Sequence, residues 1–121
     1  METLEDRKMS SSAMKGLREQ DLALSQERFA HLLGVTLGTV SRWERSEGHP
    51  DEAMEQKILR LRRIARALSA VMDPKSVAEW LQAPLAQFDG NPPRDLLSSR
   101  FSTSYLERFI DQWLSGRPLL T

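Results

Sequence analysis

The side chains in this sequence whose type and spacing suit chemistry are hydrogen-bonding groups, not reactive ones. The stretch GVTLGTVSRWER, Gly34 to Arg45, gathers the hydroxyls of Thr36, Thr39 and Ser41 and the guanidiniums of Arg42 and Arg45. An arginine fork meets two acceptors at once, and a hydroxyl both gives and takes a hydrogen bond. That is the chemistry of non-covalent recognition of something polar and charged. The equipment for bond-making is missing. With no cysteine there is no thiolate nucleophile, disulfide or thiolate metal site. His31 and His49 stand apart from any carboxylate cluster at metal-ligand spacing, and no Ser-His-Asp wording, phosphate loop or HExxH occurs. The sequence reads as a non-enzyme that needs neither cofactor nor metal.

Such groups act only if a scaffold aims them. Ser25 stands in an N-cap position before QERFAHLL, with Glu27 in the first turn, which predicts a short helix. Phe29, Leu32 and Leu33 give it an apolar stripe, and Ala30 keeps one side thin. Thr36 is the next N-cap, followed at helical spacing by Leu37, Val40 and Trp43. Two short helices meeting steeply need a small residue at their approach and a corner residue that tolerates positive φ. Ala30 and Gly34 supply these, while Val35, Val40 and Trp43 close the core beneath. Trp43 is thus expected inside, and Glu44 is expected to be structural.

Around this corner, residues 1–12 are charged and serine-rich and are expected to be a flexible N-terminus. A helix over residues 13–22 follows, with Met14, Leu17 and Leu22 inward. SEGHPD breaks the chain after the second short helix. Asp51 then caps a long helix over residues 51–72, whose inward positions are Met54, Ile58, Leu61, Ala65, Leu68 and Met72, close to the helical period. Its acids lead (Asp51, Glu52, Glu55) and its bases follow (Lys57, Arg60, Arg62, Arg63, Arg66), as the helix dipole favours. The apolar stripe either joins two halves of the molecule or forms a dimer seam.

The second half opens on MDPKSVAEWL, with Asp73 as cap, Pro74 at the first helical position, and Val77, Trp80 and Leu81 as the apolar face. QAPLAQFDGNPPRDLL sets prolines and a glycine among Leu85, Phe88, Leu96 and Leu97, which predicts short helical turns linked by corners. STSYLERFIDQWLSG is a final amphipathic helix with Leu106, Phe109, Ile110, Trp113 and Leu114 inward and Gly116 at its C-terminal stop. Trp80, Phe88, Phe109 and Trp113 are read first as core. No segment alternates with a period of two, so the expected fold class is all-α.

A chain of 121 residues is one domain's worth, or a small module with an appendage. Its 40% apolar and 28% charged residues suit a folded protein. A net charge of zero argues against a general polyanion binder. METLEDRKM lacks the apolar core of a signal peptide, and no run approaches the roughly 18 apolar residues of a membrane span. A cytoplasmic location with no membrane partner is expected.

The segment LSQERFAHLLGVTLGTVSRWERS, Leu24 to Ser46, resembles the helix-turn-helix of the Xre/Cro family. That resemblance implies a second helix lying in the DNA major groove with its N-terminal residues at base edges. Carried over position by position, it makes Thr36, Leu37, Gly38, Ser41, Arg42 and Arg45 groove-facing. Thr39 shares base reading with Ser41 and Arg42, and Gln26 meets a phosphate at a helix N-terminus. Arg42 is the best reader, since its fork bonds guanine or phosphate in a bidentate way. Two positions depart from the family. Leu37 can touch only a thymine methyl, and Gly38 costs the helix up to about 1 kcal/mol against alanine. Direct base reading is therefore expected to be sparse, with a homodimer on a two-fold operator raising the affinity.

Further on, DPKSVAEWLQAPLAQFDGNPPRDLLSSRFSTSYLERFIDQWLSG resembles the toxin-binding C-terminal domain of the MbcA/ParS/Xre antitoxins. Trp80, Leu81, Pro84, Gly90, Pro93, Asp95, Leu96, Leu97, Ile110 and Gly116 fill that family's places. GNPP stands where GGRP is usual, and Phe101 and Ser102 where a glycine often precedes the last helix. The organisation implied is a flexible residue 1–12 segment, a helix-turn-helix DNA-binding domain over 13–50, a connecting or dimerisation helix over 51–72, and a small helical toxin-binding domain with a short tail over 73–121. The resemblance implies a type II antitoxin that neutralises a RES-domain, NAD⁺-consuming toxin and represses the shared operon. Trp113, Arg117, Pro118, Leu119 and Leu120 are the implied toxin contacts, the tail being suited to plug a nucleotide pocket. The alternative is a freestanding Xre-family repressor whose C-terminal half dimerises or senses a ligand.

Overall fold

Hydroxyl and carboxylate caps start every α-helix of the structure, a computed structural model that describes residues 9–116. Ser10, Ser25, Thr36, Asp51, Asp73 and Ser99 each accept a hydrogen bond from the backbone N–H three residues on. Each bond satisfies one of the donors that a helix start leaves open. The helices are α1 (Ser11–Gly16), α2 (Gln26–Leu33), α3 (Leu37–Glu44), α4 (Glu52–Leu68), α5 (Pro74–Gln82) and α6 (Arg100–Ser115). Two 3₁₀ turns, Ala86–Phe88 and Pro93–Ser98, fill the proline-rich segment. No strand occurs among the described residues, and the fold is all-α as expected.

Several boundaries differ from expectation. Met9 is buried and Ser10 caps α1, so residues 9–12 belong to the fold and not to a flexible N-terminus. α1 runs on through Leu17–Asp21 as a wider π-helical stretch, then turns at Ala23 with φ 50°. The long helix ends at Leu68, where i→i+3 bonds from Ala70 and Val71 tighten the chain, and Met72 lies beyond it, half-buried. α6 starts at Arg100, before the predicted point.

A single apolar cluster runs from Met9 to Ile110 through both halves of the chain. α4 lies at its centre, contributing Ile58, Leu61, Ile64, Ala65 and Leu68, and packs on the π-helical stretch, α5, α6 and the second 3₁₀ turn. Its stripe therefore joins the two halves. The chain itself covers Ile58, Leu61, Ala65 and Leu68 of that stripe. The 3₁₀ turn before α6 is pinned by donors to carbonyls that a short turn leaves open. Leu96 O accepts from Ser102 Oγ at 2.7 Å and from Thr103 Oγ1 at 2.8 Å, and Leu97 O accepts from Arg60 Nη1 at 3.3 Å.

Candidate nucleic-acid interface

The corner between α2 and α3 forms as the residue types demand. Gly34 takes φ 79°, and its N–H and that of Val35 both reach Ala30 O at 2.9 Å. Thr36 Oγ1 then accepts from Thr39 N at 3.2 Å, and the two threonine hydroxyls pair at 2.8 Å. From α4, Lys57 Nζ donates to Leu33 O at 3.1 Å, placing a cation on the negative end of α2. Burial holds the Lys57 ammonium below the usual lysine range; Asp95 opposes that shift and Arg94 adds to it.

A buried polar network fixes the far end of α3. The Arg18 fork donates to Glu44 through Nε at 2.6 Å and Nη2 at 2.8 Å, and its Nη1 donates to Leu24 O at 2.9 Å. Gln26 Nε2 donates to Glu44 Oε1 at 3.0 Å. The two charged side chains are only 10% and 5% exposed, so this ion pair is shielded from water. Burial alone would push the Glu44 carboxyl up, but the bonds from Arg18 and Gln26 and the nearby positive charge outweigh it and hold the group below the usual carboxylate range. The bond to Glu44 in turn raises Arg18, against the opposing effect of its burial. Ser11 Oγ adds a bond to Trp43 O at 2.7 Å. α1, the loop after it, the start of α2 and the end of α3 are thereby held as one piece.

What this piece presents is the first-turn side of α3. At about 100° per residue, Leu37, Gly38, Ser41, Arg42 and Arg45 fall within an arc of roughly 140°. Leu37, Gly38, Arg42 and Arg45 are exposed, and Ser41 is half-buried. Val40 and Trp43 turn the opposite way into the core, Trp43 only 8% exposed. Arg42 Nη2 leans on Thr39 Oγ1 at 3.4 Å, so the best expected reader and two threonines are brought together. Arg45 sits at the C-cap with its guanidinium held by Glu47 at 3.1 Å. Gln26, expected at a phosphate, is half-buried with its amide tied to Glu44. Sequence reasoning passed over Arg28, whose exposed guanidinium has no ion pair among the described residues. It borders with Leu37, His31 and Gln82 an open groove of about 770 Å³. Its signal was available: it lies on the first turn of α2, two residues after Gln26.

In the C-terminal half, Trp113 is not core. It is 45% exposed and stacks on Trp80, ring centroids 6.1 Å apart. By angle Trp113 lies within about 20° of the buried Leu106, so its exposure comes from its place near the end of α6, beyond Ile110, and not from the helical period. Phe109 and Leu114 are half-buried, while Leu106 and Ile110 carry the buried face. Arg117, Pro118, Leu119 and Leu120, the other implied toxin contacts, lie outside the described residues. Among the described residues no group of three His, Cys, Asp or Glu side chains is placed to hold a metal ion, and no helix is long and apolar enough to cross a membrane.

Residues 14–71 match the helix-turn-helix family model. No curated protein sequence matches the chain. Among solved structures it is similar to a chain in the crystal structure of the M. tuberculosis MbcT-MbcA toxin-antitoxin complex, with a TM-score of 0.71, 21% identity, and coverage of 90% of this chain and 96% of that one. At that identity the likeness is one of fold. The chain thus carries, over residues 14–71, a match to the helix-turn-helix model within a fold that is similar, nearly end to end, to that of a chain from a toxin–antitoxin complex.

Proposed function

We propose that this chain is the antitoxin of a type II toxin–antitoxin pair: in the cytoplasm it binds and neutralises a RES-type, NAD⁺-consuming toxin and, as a homodimer, binds the promoter of the operon they share. The observation that carries the reading is the whole-chain likeness to a chain of a toxin–antitoxin complex, joined to a helix-turn-helix whose reading face is open to solvent. α3 enters the major groove. Arg42 reads a base or phosphate, with Thr39 and Ser41 as hydroxyl partners, Leu37 and Gly38 in close apposition, and Thr36, Arg45 and Gln26 at the sugar–phosphate rim. Gln26 keeps one amide N–H for a phosphate while Glu44 takes the other. Toxin contact falls to Trp113 and to Arg117, Pro118, Leu119 and Leu120 beyond it. The reaction on NAD⁺ belongs to the partner, and this chain acts by occupancy.

Co-expression with a RES-domain toxin tests the reading. Cells making the toxin alone are expected to lose NAD⁺ and stop growing, and cells making both chains to keep NAD⁺ and grow. If this chain restores neither, and the purified protein retains its promoter alone, it is a freestanding repressor and the antitoxin reading is wrong.

A further inference from the structure

Among the large apolar side chains left exposed, three lie on α6, and two of these occupy its first turns: Phe101 at 88% and Tyr105 at 53% exposure. Phe88 meets the Tyr105 ring edge-on at 6.1 Å and the Phe109 ring at 5.3 Å, so the aromatic row emerges from the core at Phe109 and ends fully in solvent at Phe101. Arg100 and Arg108 flank this row, about 12 Å apart along the axis. Together with Ser104 the four residues line an open depression of about 510 Å³. Neither guanidinium has an ion pair or side-chain hydrogen bond among the described residues. Arg63, by contrast, is bound to Glu107 at 3.0 Å and Arg18 to Glu44 at 2.6 Å. Glu107 is thus committed towards α4, and Asp111 also has a partner.

We propose that this arginine-flanked aromatic face is the docking surface for a protein partner that presents carboxylates on either side of an apolar side chain. The assignment rests on the antitoxin reading and puts the toxin there, adding a contact surface to the one implied for the end of the chain. A large exposed aromatic patch marks an association surface, and two unpaired forks call for carboxylates. A second copy does not answer. It would set the same two guanidiniums against these two, four like charges with no free carboxylate between them. A nucleic-acid strand answers less well, because a phosphate backbone following α6 meets Glu107 and Asp111 on the adjoining rows, whereas two discrete carboxylates avoid them.

The test uses the full chain and the RES-domain toxin that it neutralises, with affinity measured by titration. Arg100→Glu with Arg108→Glu is expected to weaken the complex about 100-fold. Phe101→Ser is expected to weaken it about 10-fold, and Arg108→Lys much less. Melting temperature and promoter affinity should stay at wild-type values, since all three sites are exposed. If wild type binds the toxin and the variants bind and neutralise it equally well, the surface is wrong and the antitoxin reading stands. If wild type binds no toxin, both are wrong. A labelled oligothymidylate held by wild type and released by Phe101→Ser overturns the assignment in favour of a nucleic-acid strand. A concentration-dependent dimer that the same substitution dissolves overturns it in favour of a second copy.

Discussion

α3 and α6 begin with the same device and present opposite surfaces. In each, a hydroxyl N-cap accepts from the N–H three residues on and pairs with a second hydroxyl there: Thr36 with Thr39 at 2.8 Å, Ser99 with Ser102 at 2.7 Å. Beyond that start, α3 shows solvent a leucine, a glycine and Arg42, while α6 shows Phe101, Tyr105 and two arginines. Small residues let a backbone come close to a groove wall. Bulky rings hold it off and offer area to bury instead. Both pack an apolar face on the core, but their polar anchors differ: α3 has a buried ion pair at its end and the Lys57 bond near its start, while α6 has hydroxyls on Leu96 O and the more exposed Arg63–Glu107 pair.

The sharpest way to break this contrast is at Glu44. Glu44→Ala leaves the Arg18 guanidinium buried without its partner, a loss of about 3–5 kcal/mol. Chemical denaturation should record it, with promoter binding lost ahead of toxin binding at intermediate denaturant. The same pair gives a pH signature. The folded Glu44 carboxyl lies below its unfolded value of about 4.3, so its contribution is complete above that pH and disappears as the pH falls through the folded value. Glu44→Gln should flatten that acid-side decline. An unchanged acid limb would mean that the pair does not hold α3.

Arg42→Ala comes next. The side chain is exposed and leans only on Thr39, so the melting temperature should stay put while promoter affinity falls by about 1–3 kcal/mol and the salt dependence becomes shallower. Toxin binding should not move. If Arg42→Ala weakens the toxin complex as much as the DNA complex, the two faces are not separate in function.

How much of this was legible beforehand depends on the range of the signal. Ser25, Thr36, Asp51, Asp73, Gly34 and Gly116 act within a few residues of themselves, and each does what its type and position imply. Trp43 was readable as core for the same reason. Arg18 was not readable: an arginine in a charged segment suggests a solvated face, and its burial depends on Glu44, brought from far along the chain by the fold. The start of α1 was missed because Ser10 caps a helix whose neighbours look polar, while Met9 finds its apolar surroundings only in the tertiary structure. Trp113 reads as inward because the helical period sets it within about 20° of Leu106; its exposure follows from its place near the end of α6, where the tertiary packing stops, and no local pattern shows that.

Removing the shared cap from each helix compares them directly. Thr36→Ala and Ser99→Ala should each cost about 1 kcal/mol in urea unfolding. Only the first should lower promoter affinity. A much larger loss at Ser99 would mean that the cap also steadies the Ser102 bond to Leu96 O.

The smallest effect is the most discriminating about α3. Gly38 is helical with ordinary φ, and a Cβ built on it would meet only Thr36 Oγ1 at 4.0 Å, an ordinary contact. Nothing in the fold requires a glycine there. Gly38→Ala should therefore stabilise the protein by about 0.5–1 kcal/mol through helix propensity alone. The added methyl also stands on the arc shared by Leu37 and Arg42, between the backbone and whatever α3 approaches. A higher melting temperature together with weaker promoter binding would show that the glycine is kept for close approach, at a cost in stability. If stability and affinity rise together, closeness of the backbone is not what α3 uses to read, and the contrast with the ring-bearing face of α6 loses its physical basis.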